Sequence, residues 1–152
     1  MTKIIGIIPS RYASTRFPGK PLVDIAGKSM IQRVYEQASR ASALSEVIVA
    51  TDDERIFNHV KSFSGKVVLT SNKHESGTDR CAEVVSRLQN IDVVVNIQGD
   101  EPFIEPEQIN QLAACFDNPK TKIATLVKKI ETEIDLLSNT VVKVEKTSTN
   151  QA

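Results

Sequence analysis

The sequence predicts an α/β fold, a mostly parallel sheet with helices on both faces. Three features lead there. Apolar runs of strand length alternate with longer segments whose apolar residues recur every three or four positions. The strand runs are continuous and rich in Ile and Val, as strands buried on both faces are. The strongest polar clusters directly follow strands, at the edge where open α/β sheets bind ligands. The 152 residues, 40% hydrophobic and 25% charged, suffice for one domain with a core, and 1–152 is read as a single domain.

The first strand is the run 4–8, and Pro9, lacking an N–H, is expected to end it. An extended piece at 22–25 leads to Ala26-Gly27. Ser29 caps a helix to about residue 41, with Met30, Ile31, Val34, Tyr35 and Ala38 on one face. A second strand, 46–51, runs into Asp52-Asp53-Glu54, whose first acid is expected to cap the next helix. There Ile56, Val60 and Phe63 point inward and Gly65 stops the helix. A third strand covers 66–70. Ser76 and Asp79 have capping-box spacing, and the helix they open carries Cys81, Val84, Val85 and Leu88. The fourth strand is 91–98, and Pro106 fits the first turn of a helix bearing Ile109, Leu112, Ala113 and Phe116. A fifth strand at 123–127, a short helix around Leu136-Leu137 and a sixth strand at 141–144 complete the pattern, followed by a polar tail from 147 that is expected to fray.

Lys plus Arg equals Asp plus Glu at 19 each. This balance argues against a general nucleic-acid or membrane-surface binder, so any anion site must be local. Cys81 and Cys115 form neither a disulfide framework nor a metal-ligand spacing, and both fall at apolar helix positions, where buried, inert thiols are expected. No apolar run reaches transmembrane length, and the N-terminal run does not read as a secretory signal, so the expected compartment is the cytoplasm.

The stretch after the first strand holds Arg11, Arg16 and Lys20, the hydroxyls of Ser10, Ser14 and Thr15, and a Pro18-Gly19 turn signal. Cations crowded this closely repel unless an anion lies among them. Guanidinium forks suit phosphate oxygens, and Lys adds a point charge. Charge alone fits a solvated basic loop, but the position directly after a buried strand favours a polyphosphate cradle. It is not a Walker A loop, because Ser14 and Pro21 stand where that motif needs Gly and Ser or Thr, and no Gly-x-Gly-x-x-Gly occurs.

The other polar clusters are Asp52-Asp53, His74 to Arg80, and Gln98 to Glu101. Asp100, on a Gly turn near the cradle, suits a hard cation such as Mg²⁺, which takes one or two carboxylates plus substrate phosphates; a turn Asp bonding its own backbone reads equally well. Asp52 and Asp53 read as helix caps rather than catalytic acids, and His74 as a surface loop histidine with no triad partner. Arg80, one turn into its helix, is placed either to reach a ligand or to sit in solvent.

Four segments together resemble the 3-deoxy-manno-octulosonate (Kdo) cytidylyltransferases, or CMP-Kdo synthetases. They are Ile-Ile-Pro-Ser-Arg-Tyr-Ala-Ser-Thr-Arg-Phe-Pro-Gly-Lys-Pro-Leu, Ala-Thr-Asp-Asp-Glu-Arg-Ile, Ser-Gly-Thr-Asp-Arg-Cys-Ala-Glu and Val-Val-Asn-Ile-Gln-Gly-Asp-Glu-Pro-Phe-Ile, and the likeness runs from Ile4 to about Val144. It implies the Rossmann-like nucleotide-diphospho-sugar transferase fold, a bacterial cytoplasmic homodimer serving lipopolysaccharide synthesis, and Mg²⁺-dependent transfer of CMP from CTP to Kdo. It further implies that Arg11, Arg16 and Lys20 hold the triphosphate and that Ser14 belongs to the same loop. Pro9 and Ser10 through their backbone, with Ser76, Arg80 and Gln98, would line the cytosine and ribose pocket. Arg11, Lys20 and Asp100 would be the catalytic groups, with Asp100 the Mg²⁺ ligand.

Members of that family are markedly longer, so the resemblance makes this chain the N-terminal, nucleotide-binding part of such an enzyme, expected to bind CTP weakly and to turn over poorly by itself. An acylneuraminate cytidylyltransferase shares the loop style, although the Ser-Gly-Thr-Asp-Arg and Gln-Gly-Asp-Glu-Pro pair favours Kdo. A non-catalytic CTP-binding module is the other reading.

Overall fold

The computed structural model describes residues 2–13 and 17–144. The chain divides into two compact units, Met1–Lys122 and Ile123–Ala152.

The first unit is built on a four-stranded sheet of order β5-β4-β1-β6, with β1 at Ile4–Ser10, β4 at Glu46–Thr51, β5 at Val67–Leu69 and β6 at Val93–Asn96. All three pairings are parallel. Between β1 and β4 lie a 3₁₀ turn at Lys20–Leu22, a two-stranded antiparallel hairpin, β2 at Asp24–Ile25 and β3 at Lys28–Ser29, and the helix α1 at Met30–Ala38. The other helices of this unit are α2 at Glu54–Ser62, α3 at Gly77–Ser86 and α4 at Pro106–Ala114.

Successive β1 side chains point to opposite faces, so the core has two halves. Ile5 and Ile7 pack with Ile48 and Ala50 against Cys81 and Val84 of α3. Ile4 and Ile8 pack with Val47 and Val49 against Ile31 and Val34 of α1, Ile56 and Val60 of α2, and Ile109 of α4. Helices cover both faces, as expected, but unevenly: three on one side and α3 on the other. Local rules set their starts. Ser29 Oγ accepts from Gln32 N at 3.2 Å, Ser76 and Asp79 form the expected capping box, and Pro106 opens α4.

Four expectations are corrected. Pro9 does not end β1, which continues to Ser10 on its β4 side, with Pro9 opposite Ala50 and Ser10 opposite Thr51. The cap of α2 is Asp53, which accepts from Arg55 N, and not Asp52. Cys81 is buried, but Cys115 is exposed because it lies past the end of α4 in a short 3₁₀ turn. The apolar runs at 123–127 and 141–144 form no strand. A β-run is held by a partner's ladder, and neither run has one among the described residues. The second unit contains α5, Glu133–Leu137, capped by Thr132, and leaves Ile123, Ile134, Leu137 and Val142 largely exposed.

Ile7 is fully buried at the centre of the sheet. Ile7→Ala is expected to lower stability by about 2–5 kcal/mol, seen as a lower urea midpoint at unchanged slope. Burial pushes the Cys81 thiol up to about 11. Ellman's reagent should therefore titrate one thiol quickly in the folded chain, that of Cys115, and the second only in denaturant.

Candidate functional site

In the order β5-β4-β1-β6 the chain first builds outward from β1 on one side and then crosses to the other. The crevice between the C-terminal ends of β1 and β6 is therefore the switch point where sheets of this type take ligands. Proline opens it. Alternate residues of a parallel strand bond to opposite neighbours. Ile7 O accepts from Ile97 N at 2.9 Å, so residue 9 should supply the next N–H toward β6. Pro9 has none, and β1–β6 pairing stops at Ile7 opposite Asn96 while β1–β4 pairing runs on to Ser10. Behind the gap the two loops touch closely: a Cβ on Gly99 would come 3.2 Å from Pro9 O.

A cavity of about 280 Å³ lies at this edge. It is lined by Pro9, Ser10 and Arg11 from the end of β1, by His74, Glu75, Ser76, Gly77 and Arg80 from the loop into α3 and its first turn, and by Gln98 after β6. Six of the residues singled out from the sequence thus share one wall: Pro9, Ser10, Arg11, Ser76, Arg80 and Gln98. Lys20 and Asp100, 80 residues apart in sequence, meet at the same sheet edge, with Lys20 Nζ 2.6 Å from Asp100 Oδ2. They do not line the cavity. Ser14 and Arg16 lie outside the described residues.

Each side chain is held by identifiable partners. The Ser76 hydroxyl is committed to its cap, accepting from Asp79 N at 3.1 Å and donating to Asp79 Oδ2 at 2.6 Å. Ser10 Oγ is buried without a hydrogen-bond partner among the described residues. Arg80 is no solvated helix arginine: it is 4% exposed. Its Nη1 donates to Thr70 Oγ1 at 2.5 Å and to Ser71 O at 3.4 Å, and Nη2 lies 3.3 Å from Asp52 Oδ1. His74 is partly buried and bonds Glu83, which also accepts from Ser71 N and pairs with Arg87. His74, first among these partners, and Ser71 N after it hold the Glu83 carboxyl below its ordinary value near 4.5.

The basic loop is pinned at its two ends. Gly19 N donates to Tyr12 O at 2.9 Å. Gly19 has φ +75, and a Cβ there would meet the Tyr12 ring at 3.1 Å, so both backbone and space require glycine. The Arg55 guanidinium lies over the Tyr12 ring, 3.3 Å from its centroid. Arg55 is held in turn by Asp53 through Nε at 2.9 Å and Nη2 at 2.7 Å, which keeps the Asp53 carboxyl below its usual range. Sequence reasoning missed this stack of Gly19, Tyr12 and Arg55, as well as Glu83 and Thr70. The i,i+4 spacing of Glu83 and Arg87 was a readable signal; nothing in the sequence marks the stack.

Residues 5–152 match the model of a cytidylyltransferase family. The chain belongs to the cytidylyltransferase family. Among the relatives of this cytidylyltransferase chain, the 3-deoxy-manno-octulosonate cytidylyltransferase of Parabacteroides distasonis is 59% identical over 140 residues, covering 91% of this chain and 55% of the relative. That of Bacteroides thetaiotaomicron is 62% identical over 127 residues, covering 83% and 50%. A solved CMP:2-keto-3-deoxy-manno-octonic acid synthetase complexed with CTP superposes with a TM-score of 0.75 at 48% identity, covering 78% of this chain and 49% of that one. The cytidylyltransferase chain thus spans about half the length of the relatives it matches.

The lowered Glu83 carboxyl fixes a pH dependence. The ionised Glu83 carboxylate contributes its stability in full above the unfolded value near 4.5, and that contribution fades as pH falls through the lower folded value. The stability difference between the native chain and Glu83→Gln should be largest at neutral pH and shrink on acidification, measured as Tm against pH.

Proposed function

We propose that this chain carries the CTP site of an enzyme that joins CTP to Kdo, giving CMP-Kdo and pyrophosphate for lipopolysaccharide synthesis. The observation that carries the reading is the meeting of Lys20 and Asp100 beside a cavity at the β1–β6 switch point, lined by Arg11, Ser76, Arg80 and Gln98. The likeness to synthetases of that name supports the choice of Kdo over another sugar acid.

In this reading the cavity takes the cytosine and ribose, with Pro9 and Ser10 offering backbone groups and Ser76, Arg80 and Gln98 offering side chains. Arg11, Arg16 and Lys20, in the loop that also holds Ser14, receive the triphosphate. A Kdo hydroxyl attacks the α-phosphorus in line; the new O–P bond forms as the bond to the β-phosphate oxygen breaks, and pyrophosphate leaves. The cations hold the chain of phosphates straight and offset the charge that builds on the departing group.

The residues present fit Mg²⁺. No cluster of three or more His, Cys, Asp or Glu among the described residues could hold a metal unaided. One half-exposed carboxylate, Asp100, beside a triphosphate cradle is the arrangement Mg²⁺ uses when substrate phosphates and water complete its shell. When bound, the ion neutralises phosphate charge and helps orient the attacking hydroxyl. No helix among the described residues is long and apolar enough to cross a membrane, and the reading carries with it the cytoplasmic setting and homodimer that the family resemblance implies.

CTP with Mg²⁺ at a hundredfold excess over Kd should stabilise the chain by about 2.7 kcal/mol, a Tm rise of roughly 5–10 °C. Lys20→Ala should remove most of that rise, and Asp100→Ala the part that depends on Mg²⁺. Pyrophosphate release from CTP and Kdo by this chain is expected to be slow or absent, since the chain spans only about half the length of the relatives it matches. An unchanged Tm in CTP, or an equal rise in Lys20→Ala, would overturn the reading.

A further inference from the structure

We infer that Asp52 and Thr70 are positioning residues, which hold the Arg80 guanidinium at the cavity wall so that its remaining donors meet the nucleoside end of a bound nucleotide. The inference rests on the reading of the cavity as a nucleotide site.

A guanidinium that is 4% exposed is stable only with its charge matched and its N–H groups bonded. The ends of two neighbouring strands supply both. Asp52 directly follows β4 and Thr70 directly follows β5. Thr70 N donates to Thr51 O at 2.9 Å, which fixes the two strand ends side by side. Together they engage Nη1 and Nη2, with Ser71 O taking a second bond from Nη1. A guanidinium has five N–H donors in a rigid fork. Among the described residues these contacts leave Nε–H and at least one hydrogen of Nη2 for a ligand in the cavity that Arg80 lines. The neighbouring acid does something else: Asp53 caps α2 and clamps Arg55. Among the described residues, Asp52 Oδ1 is buried with no hydrogen bond of good geometry and has only its ion pair with Arg80.

The role separates from mere packing because Lys20 lies outside the cavity wall that Arg80 forms. Asp52→Asn keeps shape and removes charge, Thr70→Val keeps shape and removes the hydroxyl, and Thr70→Ser keeps the hydroxyl. Calorimetric Kd values would be measured for CTP and for inorganic triphosphate. Asp52→Asn and Thr70→Val should each weaken CTP roughly tenfold with triphosphate changed less than about twofold, and Thr70→Ser should stay close to the native chain. In the free protein, ¹⁵N relaxation of the Arg80 Nε–H should report a loosened group in Asp52→Asn. Equal loss of CTP and triphosphate, or native CTP affinity in both variants, overturns the inference while leaving the nucleotide site standing. Failure of the native chain to bind either probe overturns the nucleotide reading and this role with it, and the relaxation measurement then still decides whether Asp52 orders Arg80.

Discussion

The site depends on a missing donor. With an N–H at residue 9, the β1–β6 ladder could run on past Ile7. Proline at that position leaves β1 bonded to β4 and parts it from β6 just before the loops that carry Arg11 and Gln98. The buried isoleucines on both faces of β1 keep the strand rigid up to the point of parting. Core packing and ligand access are thus separated by about two residues of one strand, and the same strand serves both.

Around that opening, charge is handled by pairing. Arg80 would be costly to bury without Asp52 and Thr70, so its orientation and its stability have one cause. The Tyr12 ring, in contact with both Gly19 and Arg55, does comparable work for the basic loop: it fixes where the loop leaves and returns. Both devices draw on the Asp52-Asp53 pair at the end of β4, one acid for each arginine.

Much of this was legible in the sequence where the rule is local. Continuous Ile and Val runs gave the four strands of the sheet, and Ser29, the Ser76–Asp79 pair and Pro106 marked three helix starts. The gathering of loop clusters on one edge followed from parallel topology alone. What stayed hidden depends on a partner far away in the chain. Two adjacent aspartates look alike until Arg80 takes one and the α2 terminus the other. Apolar runs at 123–127 and 141–144 have strand composition, but composition does not supply a neighbouring strand. Cys115 sits at helical spacing, yet the helix ends before it. The ring stack of Tyr12 needs an arginine 43 positions later, which no spacing rule connects to it.

The pairing of Lys20 with Asp100, Arg80 with Asp52 and Arg55 with Asp53 has a kinetic side. Cations balanced within a few ångströms cast little field beyond a Debye length, and the chain as a whole is neutral. A polyanion approaching the Lys20–Asp100 pair from bulk water therefore meets weak steering from it, and attraction there grows only at contact, when phosphate oxygens compete with aspartate for the same ammonium. Capture at such a rim is decided by exchange of partners at short range rather than by long-range pull.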